Sequence, residues 1–197
     1  MPKVHQLPAF APSSHPLALR VGQQGLAIVN LRGNSQDPAF LDAVERALGL
    51  ALPVQACTTV ANQRLRLVWV GPDDWFVFGP HGEQAALAEA LRSALGQQHA
   101  AVTDVSSGYF VVSLTGPSAR DLLAQGCPMD FHPNAFDVDQ AATTHFHKVG
   151  ITLWRAADAS GFELLVRRSF IDHFWQLVVA GSREFGISDE QYFPNQV

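Results

Sequence analysis

A chain of 197 residues that is 47% hydrophobic and 16% charged can bury ample apolar surface, which excludes a largely disordered polypeptide. The net charge of -5 and a pI near 5.8 exclude a binder of nucleic-acid backbones, which needs clustered Lys and Arg to release counterions. No apolar run approaches the roughly 20 residues that span a bilayer, and the Pro-broken start carries no signal-peptide block, so the expected location is the cytoplasm.

Residues 1–20 carry four prolines and no periodic pattern, and are expected to form an extended arm that lies on a partner. Few charges beside four Trp and thirteen Phe also point to a surface partly covered by another protein. Gly25 to Leu31 reads as a strand. Asp37 and Pro38 supply an N-cap and first-turn proline for a helix with Phe40, Leu41, Val44 and Leu48 on one face, ended by Gly49. Arg64 to Val70 alternates as a half-buried strand. The turn Gly71-Pro72-Asp73-Asp74 then leads into its hairpin partner, Trp75 to Phe78. A helix with Leu87, Leu91 and Leu95 stops at Gly96.

A strand at Ala101 to Val105 precedes a second round. Phe110, Val112 and Leu114 alternate on a strand, and Pro117 opens a short helix carrying Ala119, Leu122 and Leu123 and closed by Gly126. Strands follow at Thr143 to His147, Ile151 to Arg155 and Phe162 to Val166. The last helix is expected to begin with a capping box of Ser169 and Asp172, to turn Phe170, Phe174, Leu177 and Val178 inward, and to stop at Gly181. Gly33, Trp69 and Phe76 recur at nearly constant spacing as Gly116, Trp154 and Phe162. The expected fold is therefore α+β: duplicated βαββα units with pseudo-twofold symmetry. The arm, residues 1–20, precedes one body, 21–185, of two repeats at about 21–98 and 99–185; residues 186–197 form a tail.

The chemistry is sparse. Gly22-Gln-Gln-Gly25 and Gly79-Pro-His-Gly82 lack the strand-turn-helix context or the spacing of a dinucleotide loop, so no flavin is expected in this chain. His145 and His147 would share a face of one strand, but two nitrogens rarely hold zinc, and the favoured reading is a solvated or interface pair. Cys127 and His132 could be drawn as nucleophile and base, against a rigid turn set by Pro128 and Pro133. Cys57 and Cys127 are read as small apolar fillers. Thr103-Asp104-Val105-Ser106-Ser107-Gly108 reads either as a tight turn between strands, the favoured reading, or as a carboxylate poised at a ligand pocket.

Thr103 to Pro133, TDVSSGYFVVSLTGPSARDLLAQGCPMDFHP, followed by Gly161 to Phe170 and Trp175, resembles the gamma subunit of heterotetrameric sarcosine oxidase. The likeness runs from Ser14 to about Ala180. Asp104 to Gly108 and Leu114 to Ala119 are more distantly similar to tetrahydrofolate-dependent aminomethyltransferases, which implies a folate-binding aminomethyltransferase-like fold. Those enzymes carry paired aspartates where this chain has Lys148 to Arg155, and Asp158 is a lone turn residue. The resemblance thus implies a structural subunit with no catalytic, cofactor-binding or metal residue of its own. It also implies an assembly with alpha, beta and delta subunits that oxidises sarcosine to glycine, forming hydrogen peroxide and 5,10-methylenetetrahydrofolate. FAD, FMN, NAD, zinc and tetrahydrofolate would be held by the other subunits. Two readings stay open beside it. One is a free-standing folate-binding protein in which Asp104 lines a pteridine pocket; the other is a small enzyme using Cys127 or the His145/His147 pair.

Overall fold

The computed structural model of the chain describes residues 18–21, 26–156 and 161–185. Residues 1–17 of the arm, the Gly22 to Gly25 run, the turn with Asp158 and the tail 186–197 lie outside these. Among the described residues the elements fall into two compact units, each with a five-stranded antiparallel sheet and two helices.

One unit comprises Gln23–Tyr109 and Asp139–Thr143. Its strands are β2 (Ala27–Arg32), β3 (Thr59–Ala61), β4 (Arg66–Gly71), β5 (Asp74–Gly79) and β6 (Ala101–Asp104), in the order β3-β4-β5-β2-β6. Its helices are α1 (Pro38–Leu48) and α2 (Gln84–Leu95). The start of α1 is set as expected: the Asp37 carboxylate accepts the Ala39 N–H at 2.9 Å, and proline occupies a position whose N–H would have no helical partner. Gly49 ends the helix at φ 64°, a left-handed conformation that costs glycine least. Ala27, Val29 and Leu31 of β2 and Trp75 and Val77 of β5 share a core with Phe40, Val44 and Leu48 of α1 and Leu87, Leu91 and Leu95 of α2. Each such large side chain contributes about 1.5–3 kcal/mol on leaving water. The Trp75 indole N–H, which would be costly to bury unpaired, donates to the Pro53 carbonyl at 2.8 Å.

β3 was not foreseen. It is three residues long, and the Thr59 hydroxyl holds it by donating to the Leu67 carbonyl at 2.9 Å. Two backbone bonds, Thr59 to Asp139 and Ala141 to Cys57, tie the same stretch to residues 139–143. Cys57 itself is exposed at φ 61°, so it fills no core, contrary to expectation.

The other unit comprises Met1–Gly22, Phe110–Val138 and Thr144–Val197. Its sheet has the order β1-β7-β10-β9-β8, built from β1 (Ala18–Val21), β7 (Tyr109–Thr115), β8 (Ala141–Phe146), β9 (Val149–Arg155) and β10 (Gly161–Arg167), with Tyr109 and Ala141–Thr143 at the starts of β7 and β8 counted in the first unit. Its helices are α3 (Ala119–Gly126) and α4 (Ile171–Ser182). The expected arm ends sooner than residue 20, because Ala18 to Val21 pair with Val112 to Thr115 as an edge strand. All four prolines precede this segment, so nothing removes its ladder donors.

The expected start of α4 is also corrected. Arg168–Phe170 already form a 3-10 turn, so Ser169 is not in the extended conformation an N-cap requires. Phe170 takes the cap position with no side-chain bond and is 46% exposed, not turned inward. Gly181 does not stop the helix, which runs through Ser182. A Cβ there would sit 2.7 Å from both Leu122 and Gln125, so glycine serves the close approach of α3 and α4. Gly161 permits a tighter contact: a Cβ would lie 2.1 Å from the Leu114 carbonyl oxygen of β7.

β1 precedes β2 in the chain but pairs with β7, and β6 precedes β7 but pairs with β2.

Candidate functional site

The polar segment after β6 is a turn. Asp104 Oδ1 accepts the Ser106 N–H at 3.0 Å and its hydroxyl at 2.6 Å, while Ser106 Oγ accepts the Ile28 N–H at 2.9 Å. The carboxylate thus locks the 3-10 turn Ser106–Gly108 onto β2. Cys127 is the C-cap of α3 and is buried, and that burial pushes its thiol up to about 12, far from the thiolate a nucleophile needs. His132 is exposed, and its Nδ1 accepts the Asn134 N–H at 3.2 Å. His145 lies exposed on β8, but His147 leaves the strand at φ 51° and packs edge-on against Phe146, so the two do not share a strand face. No group of three or more His, Cys, Asp or Glu able to hold a metal occurs among the described residues. No helix among them is long and apolar enough to cross a membrane.

Each unit has a concavity where an interior strand, β2 or β7, turns into the following helix, beside the end of the neighbouring hairpin. In the unit built on β2 the space is about 690 Å³, lined by Arg32, Gly33, Asp37, Phe40, Asp73 and Gln98 among others. Arg32 pairs there with Asp73 at 3.0 Å and reaches Asp74 at 3.9 Å. The Gln98 amide donates to the Ala39 carbonyl at 3.3 Å, and its buried Oε1 receives no hydrogen bond from any described residue.

In the unit built on β7 the space is about 390 Å³, lined by Gly116, Pro117, Arg120, Arg155, Gly161 and Phe162 as well as Ala119. Arg155 is only 6% exposed, and its guanidinium carbon lies 4.9 Å from the centre of the Phe162 ring. The Arg120 guanidinium lies 5.5 Å from the same ring and donates to the Phe131 carbonyl. Phe131 and Phe136 brace that ring from 5.6 and 6.2 Å. Sequence reasoning missed this pair of arginines. The one trace available was the Gly116-Pro117 turn inside the segment Leu114 to Ala119.

A family model for the gamma subunit of sarcosine oxidase matches residues 32–184. The sarcosine oxidase subunit gamma of Corynebacterium sp. strain P-1 is 35% identical over 73% of this chain and 70% of its own. The protein of the same name from Arthrobacter sp. is 34% identical over the same shares. Among solved structures, the heterotetrameric sarcosine oxidase of Corynebacterium sp. U-96 contains a chain that matches with a TM-score of 0.82 and 27% identity, covering 92% of this chain and 91% of that one. The glycine cleavage system aminomethyltransferase T of Bartonella henselae matches with a TM-score of 0.61 at 16% identity, over 81% of this chain and 45% of that one, a likeness of fold. The match over most of the chain's length, in sequence and in backbone alike, places it in the sarcosine oxidase gamma subunit family.

Proposed function

We propose that this chain is the cytoplasmic gamma subunit of a heterotetrameric sarcosine oxidase, assembling with alpha, beta and delta subunits and contributing structure without running a reaction step. The assembly would oxidise sarcosine to glycine, yielding hydrogen peroxide and 5,10-methylenetetrahydrofolate, with FAD, FMN, NAD, zinc and tetrahydrofolate held by its other subunits. The observation that carries this is the backbone match to a chain of a heterotetrameric sarcosine oxidase over nine-tenths of both chains. Two features of the residues support a structural role. Asp104, the one carboxylate considered for a pteridine pocket, holds its own turn, and Cys127 is protonated at any physiological pH.

The same reading takes the two units as copies of one βαββα ancestor related by pseudo-twofold symmetry. Matching β2 with β7, β3 with β8, β4 with β9, β5 with β10 and β6 with β1 turns one strand order into the other, which supports it. Purification of the chain from its native host, with its companions identified by mass, tests the assignment. Three further subunits and sarcosine-dependent peroxide formation are expected. A chain that elutes alone and takes up tetrahydrofolate would establish the free-standing folate binder instead.

A further inference from the structure

We infer that Arg92 guards the outer edge of β6, and that the partner it holds off is a second copy of this chain. Among the described residues β6 is an outer strand, paired on one side with β2, and its Ala101, Thr103 and Asp104 are exposed. The ladder decides which of its backbone groups face outward. The Val105 N–H donates to the Ile28 carbonyl at 2.9 Å, and opposed residues of an antiparallel pair alternate between bonded and non-bonded. Thr103, two residues from Val105, therefore bonds toward Asn30, whereas the N–H and C=O groups of Val102 and Asp104 point away from β2. A row of such groups is a template for another strand.

Arg92, in the last turn of α2, answers one of them: its guanidinium donates to the Val102 carbonyl at 2.8 Å. It thus takes the place that an N–H of an added strand would have to occupy.

The edge is complementary to itself. With Thr103 opposite Thr103 of a second copy, Val102 faces Asp104 and Asp104 faces Val102, so the outward groups of both strands meet as two bonded pairs about a two-fold axis. Half of the carbonyls that this ladder needs are the Val102 carbonyls that the two Arg92 side chains occupy. A segment of four residues that pairs with its own copy across an isologous axis is the occupant this edge fits best, and one guanidinium on each side is enough to break its symmetry of donors and acceptors.

Self-association of the full chain, followed by sedimentation equilibrium, tests the guard in the native protein, in Arg92→Ala and in Arg92→Ala combined with Thr103→Lys. Alanine is the strongest helix former and Arg92 is exposed, so Arg92→Ala is expected to fold. It should dimerise with a dissociation constant at least about tenfold below that of the native chain. Adding Thr103→Lys should reverse the gain, because it sets two ammonium groups directly opposite each other at the centre of the new ladder. If Arg92→Ala associates no more tightly than the native chain, Arg92 guards nothing. If it does associate and Thr103→Lys leaves that association unchanged, the contact lies elsewhere; either result overturns the inference. The measurement uses this chain alone, so it stands whether or not the proposed assembly does.

Discussion

Beside the turns that lead from β2 and from β7 into a helix, the two units hold an arginine in different surroundings. In the unit built on β2, Arg32 lies against the β4-β5 hairpin, where Asp73 and Asp74 supply the opposite charge. In the unit built on β7, Arg155 closes β9, and Phe162 of β10 faces it in the ladder with its ring 4.9 Å from the guanidinium carbon. A hairpin tip with acids makes the first turn electrostatically self-contained. The second gathers positive charge on an apolar platform and buries part of it. Arg32, at the end of β2, thus holds a solvated ion pair, whereas Arg155, at the end of β9, is buried against an aromatic ring.

The largest effect that would break this comparison comes from Gly161. Gly161→Ala drives a methyl into the Leu114 carbonyl and Thr115 Cα, backbone atoms that cannot rotate away, and should cost about 3 kcal/mol. Gly33→Ala meets only the ring of Phe40 and should cost about 1–2 kcal/mol, because a side chain can shift. Denaturant midpoints for the two variants check the ranking, and equal losses would mean that β10 does not need its close approach to β7.

The cysteines sharpen the contrast next. Cys57 should react with iodoacetamide in the native chain while Cys127 is labelled only on unfolding, as peptide mapping would show. Folded Cys127 keeps its proton up to about 12, whereas the unfolded thiol ionises near 9.0. Its contribution to stability is therefore complete below pH 9 and is lost as pH rises from 9 toward 12. Cys127→Ala should flatten that alkaline decline, measured by urea midpoints across the window.

The smallest effect belongs to the ion pair. Arg32 and Asp73 are both about half exposed, so Asp73→Asn should change stability by less than about 1 kcal/mol, and 1 M salt should erase the difference. A loss that survives high salt would show that the Asp73 backbone bond to Gly33, not its charge, is what the substitution disturbs.

Much of the fold was legible where a local rule is strong. Asp37-Pro38 and Gly49 bracket α1 as expected, the Gly71-Pro72 hairpin forms, and the leucines of α2 face the core, because caps, turns and helical spacing act within a few residues. Local rules failed where tertiary contact decided. Gly181 looked like a helix stop but is an interhelical spacer, and β3 is too short to show a period. Phe76 and Phe162 were matched by spacing, yet Phe76 pairs with Val68 and Phe162 with Arg155; if Trp69 corresponds to Trp154, the ladder sets Phe76 against Leu164. The arginine pocket was invisible for the same reason. Arg120 and Arg155 belong to a helix and a strand well apart in sequence, and only the folded sheet brings both to Phe162.

The crossed pairing of β1 and β6 has a consequence for the order of events at the ribosome. The unit built on β2 can close most of its sheet once residues up to Tyr109 have emerged, whereas β1 is made first and must wait through that whole unit for β7. Its four residues keep an open edge during that delay, and the second sheet acquires its full width only late in synthesis. For the same reason, severing the chain between α2 and β6 would leave each fragment holding an edge strand that belongs to the other. Two such fragments are expected to reassociate by trading strands when mixed, a built-in route to a split protein.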